Sequence, residues 1–172
     1  MRAASNIVRM PTMPFKAAER GTIGVMDQSD RSVREQVVAD IMTKEPVTLG
    51  PEDSLMEALE VMRRHRIRRL PVVVGDRLVG LLAEGDVKRA QPSILSSNQE
   101  EFDRVMQDTQ VSRVMIREPV TVTADTSLLV AAQTLHRTKF GTLPVVDGEQ
   151  LIGILTDADL LRVLIELLET EK

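Results

Sequence analysis

The chain has 172 residues, of which 42% are apolar, 28% charged and only 2% aromatic, with no cysteine, tryptophan or tyrosine and a formal net charge of -4. This composition predicts one or two small globular units with an aliphatic core, and it excludes wholesale disorder, a disulfide framework, a thiolate nucleophile and a cysteine-ligated zinc site. The acidic balance argues against a nucleic-acid partner, because phosphate backbones attract basic faces.

In chain order, residues 1–31 carry Pro11, Pro14 and two glycines without hydrophobic periodicity and predict a flexible arm. Its basic residues are scattered and it has no continuous apolar segment of the kind a secretory signal needs. Ser32-x-x-Glu35 predicts a capped helix running toward Met42. From Val38 onward a fixed shift of 73 residues aligns the chain with itself, giving 19 identities over 49 gapless positions up to Asp86. The chain contains an internal duplication.

Both copies read β-α-β-β-α. Val47-Thr48-Leu49 and Val120-Thr121-Val122 are short β-prone runs. Ser54-x-x-Glu57 opens a helix, and Leu55, Ala58, Leu59 and Met62 recur at helical spacing, as do Leu128, Ala131, Ala132 and Leu135. Two apolar runs, residues 70–74 and 143–146, each followed by a glycine turn and a second apolar run, predict hairpins. A copy of about 50 residues buries too little surface to be comfortable alone, so the two should pack as one pseudo-two-fold α/β (α+β) module. The expected boundaries are an arm at 1–31, repeat 1 at 32–89, a polar helical connector at 90–110, and repeat 2 with the C-terminal helix at 111–172. In that last helix seven of the nine residues 160–168 are apolar, wider than a single core contact needs, which suggests a homodimer contact. The stretch is interrupted by Arg162 and Glu166 and is far short of the roughly 20 residues that cross a bilayer. A cytoplasmic protein with no membrane partner is expected.

Two segments carry chemistry. Thr156-x-x-Asp159 sets a hydroxyl and a carboxylate at a strand-to-helix junction, where they can hold ligand hydroxyls or simply cap the helix. In the first copy Ala83 replaces the threonine while Asp86 remains, so the two places are unequal. The cluster Arg63-Arg64-His65-Arg66-x-Arg68-Arg69 reverses the charge of an otherwise acidic chain. Arg63, Arg64 and Arg66 read as the solvated end of a helix favoured by its dipole. Arg68 and Arg69 offer guanidinium forks suited to phosphate oxygens, whereas the second copy has Gly141-Thr142. A nucleophile with a base, paired carboxylates in a cleft, a phosphate-binding glycine loop and metal-ligand spacing around His65 or His136 are all missing, so neither an enzyme nor a metal site is expected.

The first copy's pattern Met-Thr-x-x-Pro-Val-Thr, Ile-Arg-Arg-Leu-Pro-Val-Val and Leu-Val-Gly-Leu-Leu followed by Asp, matched in register by Met115, Pro119-Val120-Thr121, Leu143-Pro144-Val145-Val146, Gly153, Leu155 and Asp159, resembles the cystathionine-β-synthase (CBS) domain, and the tandem resembles a Bateman module. The connector after Ala90-Gln91-Pro92-Ser93 is similar to that of stand-alone acetoin-utilisation-type pairs. The resemblance implies that Thr156 and Asp159, with Asp86 as a weaker counterpart, hold a ribose. It implies that Arg68 and Arg69 face phosphates, and that Thr43, Val47, Ile116 and Val120 line purine pockets. With Phe15, Phe102 and Phe140 as the only aromatics, aliphatic walls and backbone must hold the base. The expected function is a regulatory module that needs no cofactor and senses ATP, ADP, AMP or S-adenosylmethionine, acting on an unidentified regulated protein. The alternative is a ligand-blind homodimeric interaction module.

Overall fold

The structure, a computed structural model, describes residues 35–92 and 98–170. Among these, the first copy of the repeat contributes α1 (Val38–Ile41), β1 (Thr43–Lys44), α2 (Leu55–His65), β2 (Arg69–Val74), β3 (Arg77–Ala83) and α3 (Glu84–Ala90). After α4 (Gln99–Asp108) and a 3-10 turn at Val111–Arg113 come β4 (Ile116–Arg117), α5 (Leu128–Thr138), β5 (Thr142–Asp147), β6 (Gln150–Thr156) and α6 (Asp157–Thr170).

Local signals place the helices and hairpins. At the start of α2 the Glu57 amide donates to the Ser54 hydroxyl at 3.2 Å while the Ser54 amide donates to the Glu57 carboxylate at 2.8 Å, a reciprocal cap. Ser127 caps α5 by accepting from the Val130 amide at 3.3 Å, without an acidic residue to return the bond. Leu55, Ala58 and Met62 turn inward on α2, and Leu128, Ala131 and Leu135 on α5. Gly75 and Gly148, at φ of 60° and 61°, supply the left-handed residue that each tight β2–β3 and β5–β6 turn requires. The β-prone runs before α2 and α5 contribute single parallel bridges, Leu49 to Val72 and Val122 to Val145.

The strands that precede those runs cross over. β1 pairs with β6, Thr43 opposite Ile154, and β4 pairs with β3, Leu81 opposite Ile116. Each copy therefore adds its first strand to the hairpin of the other, and contact between Arg77 and Gln150 joins everything into one six-stranded sheet. The cores follow the same exchange. Val38 is buried among Val122, Leu128, Leu143 and Leu155, whereas Val111 and Met106 are buried with Leu55, Leu70 and Leu82. Fully burying one such valine is worth about 1.5–3 kcal/mol, which neither copy keeps alone.

Two sequence expectations change here. Ser32 lies outside the described residues, as does the arm at 1–31; Glu35 is helical, the helix is interrupted at Gln36 and Val37, and it resumes at Val38–Ile41. Val37 is extended, at φ of -114° and ψ of 166°, because its backbone bridges to Ser127. The connector helix α4, capped by Asn98, does more than link the repeats, since Met106 is fully buried in the first core and Phe102 packs against it.

Two glycines record how closely the exchanged segments approach. A Cβ on Gly153 would stand 2.7 Å from the Met42 sulfur and 3.0 Å from the Thr43 carbonyl oxygen, and one on Gly80 would stand 2.5 Å from the Met115 sulfur. Gly153→Ala is expected to lower unfolding free energy by about 1–3 kcal/mol in denaturant titrations, the usual cost of overpacking. The Ser54 amide and hydroxyl hold the Glu57 carboxyl below its ordinary value of 4.5. A depressed folded value stabilises the protein above the unfolded value and is lost as pH falls through the folded one. Glu57→Gln should therefore destabilise the protein at neutral pH by an amount that shrinks as chemical denaturation is repeated at pH values below 4.5.

Candidate functional site

Strand exchange sets residues 43–47 of repeat 1 beside the end of β6 in repeat 2. Between them opens a cavity of about 470 Å³. Thr43, Pro46 and Val47 form one wall with Ile154, the turn from α2 to β2 brings Arg66, Arg68 and Arg69, and the β6–α6 junction brings Thr156, Asp157 and Asp159. Six of the predicted residues, Thr43, Val47, Arg68, Arg69, Thr156 and Asp159, thus line one cleft between the repeats.

Thr156 and Asp159 cap α6 fully. The Thr156 amide and hydroxyl donate to Asp159 Oδ2 at 2.8 and 2.7 Å, and the Asp159 amide faces the Thr156 oxygen at 3.4 Å. Asp159 Oδ1 stands 3.3 Å from an Arg162 guanidinium nitrogen. An ionised carboxylate offers about four acceptor sites, so these bonds leave capacity for a further donor. Capping and ligand binding are compatible at this carboxylate.

Arg69 is half-buried and reaches from repeat 1 over Gly141 of repeat 2. A Cβ on Gly141 would lie 3.3 Å from both terminal guanidinium nitrogens of Arg69 and 3.0 Å from an Asp157 carboxylate oxygen, and the glycine has φ of +61°. Both space and backbone conformation require glycine there. Among the described residues the ion pairs include local ones, such as Arg64 with Glu60 and Lys88 with Glu84, and one between the repeats, Arg77 with Glu149 at 3.7 Å, but none involves Arg66, Arg68 or Arg69. The Glu84 carboxyl is held below its ordinary value first by Lys88 and more weakly by the charge of Arg68. The three arginines face the cleft with their charge uncompensated by an ion pair.

Asp86, Ile116 and Val120 do not join this cleft. They occupy the matching place on the other side of the pseudo-two-fold, where Ile116 pairs with Leu81. There the Ala83 amide donates to Asp86 at 3.3 Å and Arg89 donates to its second oxygen, but no hydroxyl completes the arrangement. Sequence reasoning missed Arg66, Gly141 and Asp157 as lining residues, and reached Glu45 only as part of the segment 43–47. Arg66 reads as the solvated end of α2, yet at φ of 55° it turns the chain into the cleft. Glu45 and its equivalent Glu118 adopt φ of 48° and 49°, a strained conformation for residues with a side chain, and the Glu-Pro pair at both positions is the only sequence trace of it. Among the described residues no group of His, Asp or Glu is arranged to hold a metal ion, and no helix is long and apolar enough to cross a membrane.

The CBS domain family model matches residues 38–93 and 111–166. The chain belongs to the CBS domain family and carries two such domains in tandem. A CBS domain-containing protein of Dictyostelium discoideum is 35% identical over 136 residues, 77% of this chain and 94% of that protein. An inosine-5'-monophosphate dehydrogenase of Korarchaeum cryptofilum is 31% identical over 86% of this chain, but the chain spans only 30% of its length. Among solved structures, an acetoin utilization protein (AcuB) assignment from Vibrio cholerae is 30% identical with a TM-score of 0.66, covering 79% of this chain and 95% of that one. CBSX2 in complex with AMP is 30% identical with a TM-score of 0.64, covering 76% and 97%. The CBS domain pair of protein MJ0100, in complex with 5'-methylthioadenosine and S-adenosyl-L-methionine, is 27% identical with a TM-score of 0.63, covering 76% and 97%.

Because Thr156 and Asp159 complete the α6 cap without a ligand, Thr156→Ala should cost about 1 kcal/mol of unfolding free energy, measured by urea denaturation of the unliganded protein.

Proposed function

We propose that the chain is a non-catalytic regulatory module that binds an adenine nucleotide or adenosyl ligand in the cleft between its repeats. The observation that carries this reading is the meeting, in one cavity, of Arg66, Arg68 and Arg69 from one repeat with Thr156 and Asp159 from the other. In this arrangement Asp159 accepts from ribose hydroxyls, Arg68 and Arg69 draw phosphate oxygens, and Val47 and Ile154 enclose the base without an aromatic platform. The AMP, 5'-methylthioadenosine and S-adenosyl-L-methionine complexes of structural neighbours support the same ligand class. The place around Asp86, with Ala83 in the position of Thr156, makes the weaker site or none.

Occupancy has a structural route outward. Arg66, Ile67 and Arg68 line both the cleft and a second cavity of about 650 Å³ on the outer face of repeat 1. A ligand that binds these residues differently in two arrangements of the turn shifts the balance between them, and this is how a regulated partner would sense it. The exposed apolar stripe of α6, with Leu161, Leu164, Ile165 and Leu168, supports assembly with a second copy. No step of catalysis is assigned to the chain, and the dehydrogenase activity of the longer relatives is not carried over.

The complete cap at Thr156 and Asp159 favours a second reading, a ligand-blind interaction module in which both residues are purely structural. Calorimetric titration with AMP, ADP, ATP and S-adenosylmethionine separates the two. At least one should bind, and Asp159→Ala should weaken it by about 10- to 100-fold, the worth of charge-assisted hydrogen bonds. Absence of binding by all four, or affinity unchanged in Asp159→Ala, selects the ligand-blind reading.

A further inference from the structure

The charged groups of the cleft between the repeats are unevenly placed. Its cations come from one turn of four residues: Arg69 is half-buried and crosses over Gly141, while Arg66 and Arg68 are exposed. Among the described residues none of the three has an ion pair. Its carboxylates are spread over two walls. Glu45 belongs to the wall of residues 43–47, and Asp159 is bound to the Thr156 cap and to Arg162.

Asp157 is the carboxylate beside the arginines. It is exposed, and its Oδ1 accepts from the Ala158 amide at 2.9 Å. Its Oδ2 faces the space over Gly141, where a Cβ would stand 3.0 Å from that oxygen and 3.3 Å from the guanidinium nitrogens of Arg69. Asp157 and Arg69 thus meet across the repeats without closing an ion pair, and an anion placed on Arg69 lies within the field of Asp157.

We propose that the ligand of this cleft is an adenine nucleotide with two or three phosphates, held by Arg69 at the phosphate nearest the ribose and by Arg66 and Arg68 beyond it, and that Asp157 limits its affinity. This rests on the reading of the cleft as an adenosyl-ligand site and narrows it by charge. Two guanidinium forks occupy the terminal oxygens of a single phosphate, so a third finds acceptors only where the ligand continues. A cavity of about 470 Å³ has room for such a ligand. S-adenosylmethionine is the poorest fit, because its sulfonium and ammonium groups outnumber its carboxylate and would meet three guanidinium groups that have no counter-charge. In repeat 2 the positions of Arg66, Arg68 and Arg69 are held by Lys139, Gly141 and Thr142. The place around Asp86 therefore keeps one cation of the three, and the polyphosphate is confined to one cleft per chain.

Calorimetry on the full-length chain in magnesium-free buffer, with 5'-methylthioadenosine, AMP, ADP, ATP and S-adenosylmethionine, tests the assignment. ADP or ATP should bind at one site per chain, about ten-fold or more tighter than AMP, 5'-methylthioadenosine or S-adenosylmethionine. Added salt should shrink that margin, as it screens exposed charge. Arg66→Gln should cut the ratio of ADP to 5'-methylthioadenosine affinity about ten-fold and Arg66→Lys should restore much of it, a pattern that loss of fold would not produce. Asp157→Asn should raise the same ratio about three-fold, the worth of one nearby charge in water. AMP, 5'-methylthioadenosine or S-adenosylmethionine binding as tightly as ADP and ATP would overturn the polyphosphate assignment and leave the adenosyl-ligand reading standing. A ratio unmoved by Arg66→Gln or by salt would overturn it as well. Absence of binding by all five would overturn both.

Discussion

The reciprocal crossing of the first strands is the constraint from which the rest of the structure follows. β1 completes the hairpin of repeat 2 and β4 that of repeat 1, carrying Val38 and Val111 into cores built by the opposite copy. Methionine sulfur atoms of the crossing segments lie over glycines, Met42 over Gly153 and Met115 over Gly80, where a Cβ would collide. Such close packing makes the two copies one cooperative unit, because separating them would expose buried aliphatic surface in both cores at once. It also determines where a cleft can form. Residues 43–47 become neighbours of the β6–α6 junction only through this exchange.

The cleft reuses groups that already have structural work. Asp159 caps a helix with one oxygen and faces Arg162 with the other, and Thr156 serves the same cap. A side chain fixed in this way has little conformational freedom left to lose, which suits the recognition role proposed for Asp159. The arginines opposite come from a turn made possible by the left-handed conformation of Arg66. Duplication thus supplied two similar halves, and divergence made their charges unequal, since Arg68 and Arg69 correspond to Gly141 and Thr142. Gly141 leaves the space that Arg69 occupies, so the difference between the copies is itself complementary.

The same asymmetry runs across the outer faces. Basic residues gather at the end of α2 in repeat 1, while α6 in repeat 2 is acidic at its ends and apolar along an exposed stripe. The turn at Arg66, Ile67 and Arg68 stands between the inner cleft and the outer groove. One short segment thereby lines both cavities.

The sequence by itself determined the duplication, the order of elements within each copy, the Ser54 cap, the glycine turns and the family, because all of these rest on local spacing or on a repeat in fixed register. Six of the nine binding residues it named line the cleft. Only the tertiary structure decided which copy each first strand joins, since a two-residue strand carries no periodicity that could identify its partner. For the same reason the burial of Met106 in the first core was not legible in a polar helix, and the extended backbone at Val37 was not legible in a helix-prone segment. Positive φ at Glu45 and Arg66 likewise depends on contacts made elsewhere in the fold. Whether Thr156, Asp159 and three arginines share one cavity is a question of crossing strands, and distances across a pseudo-two-fold are set by packing that no local pattern encodes.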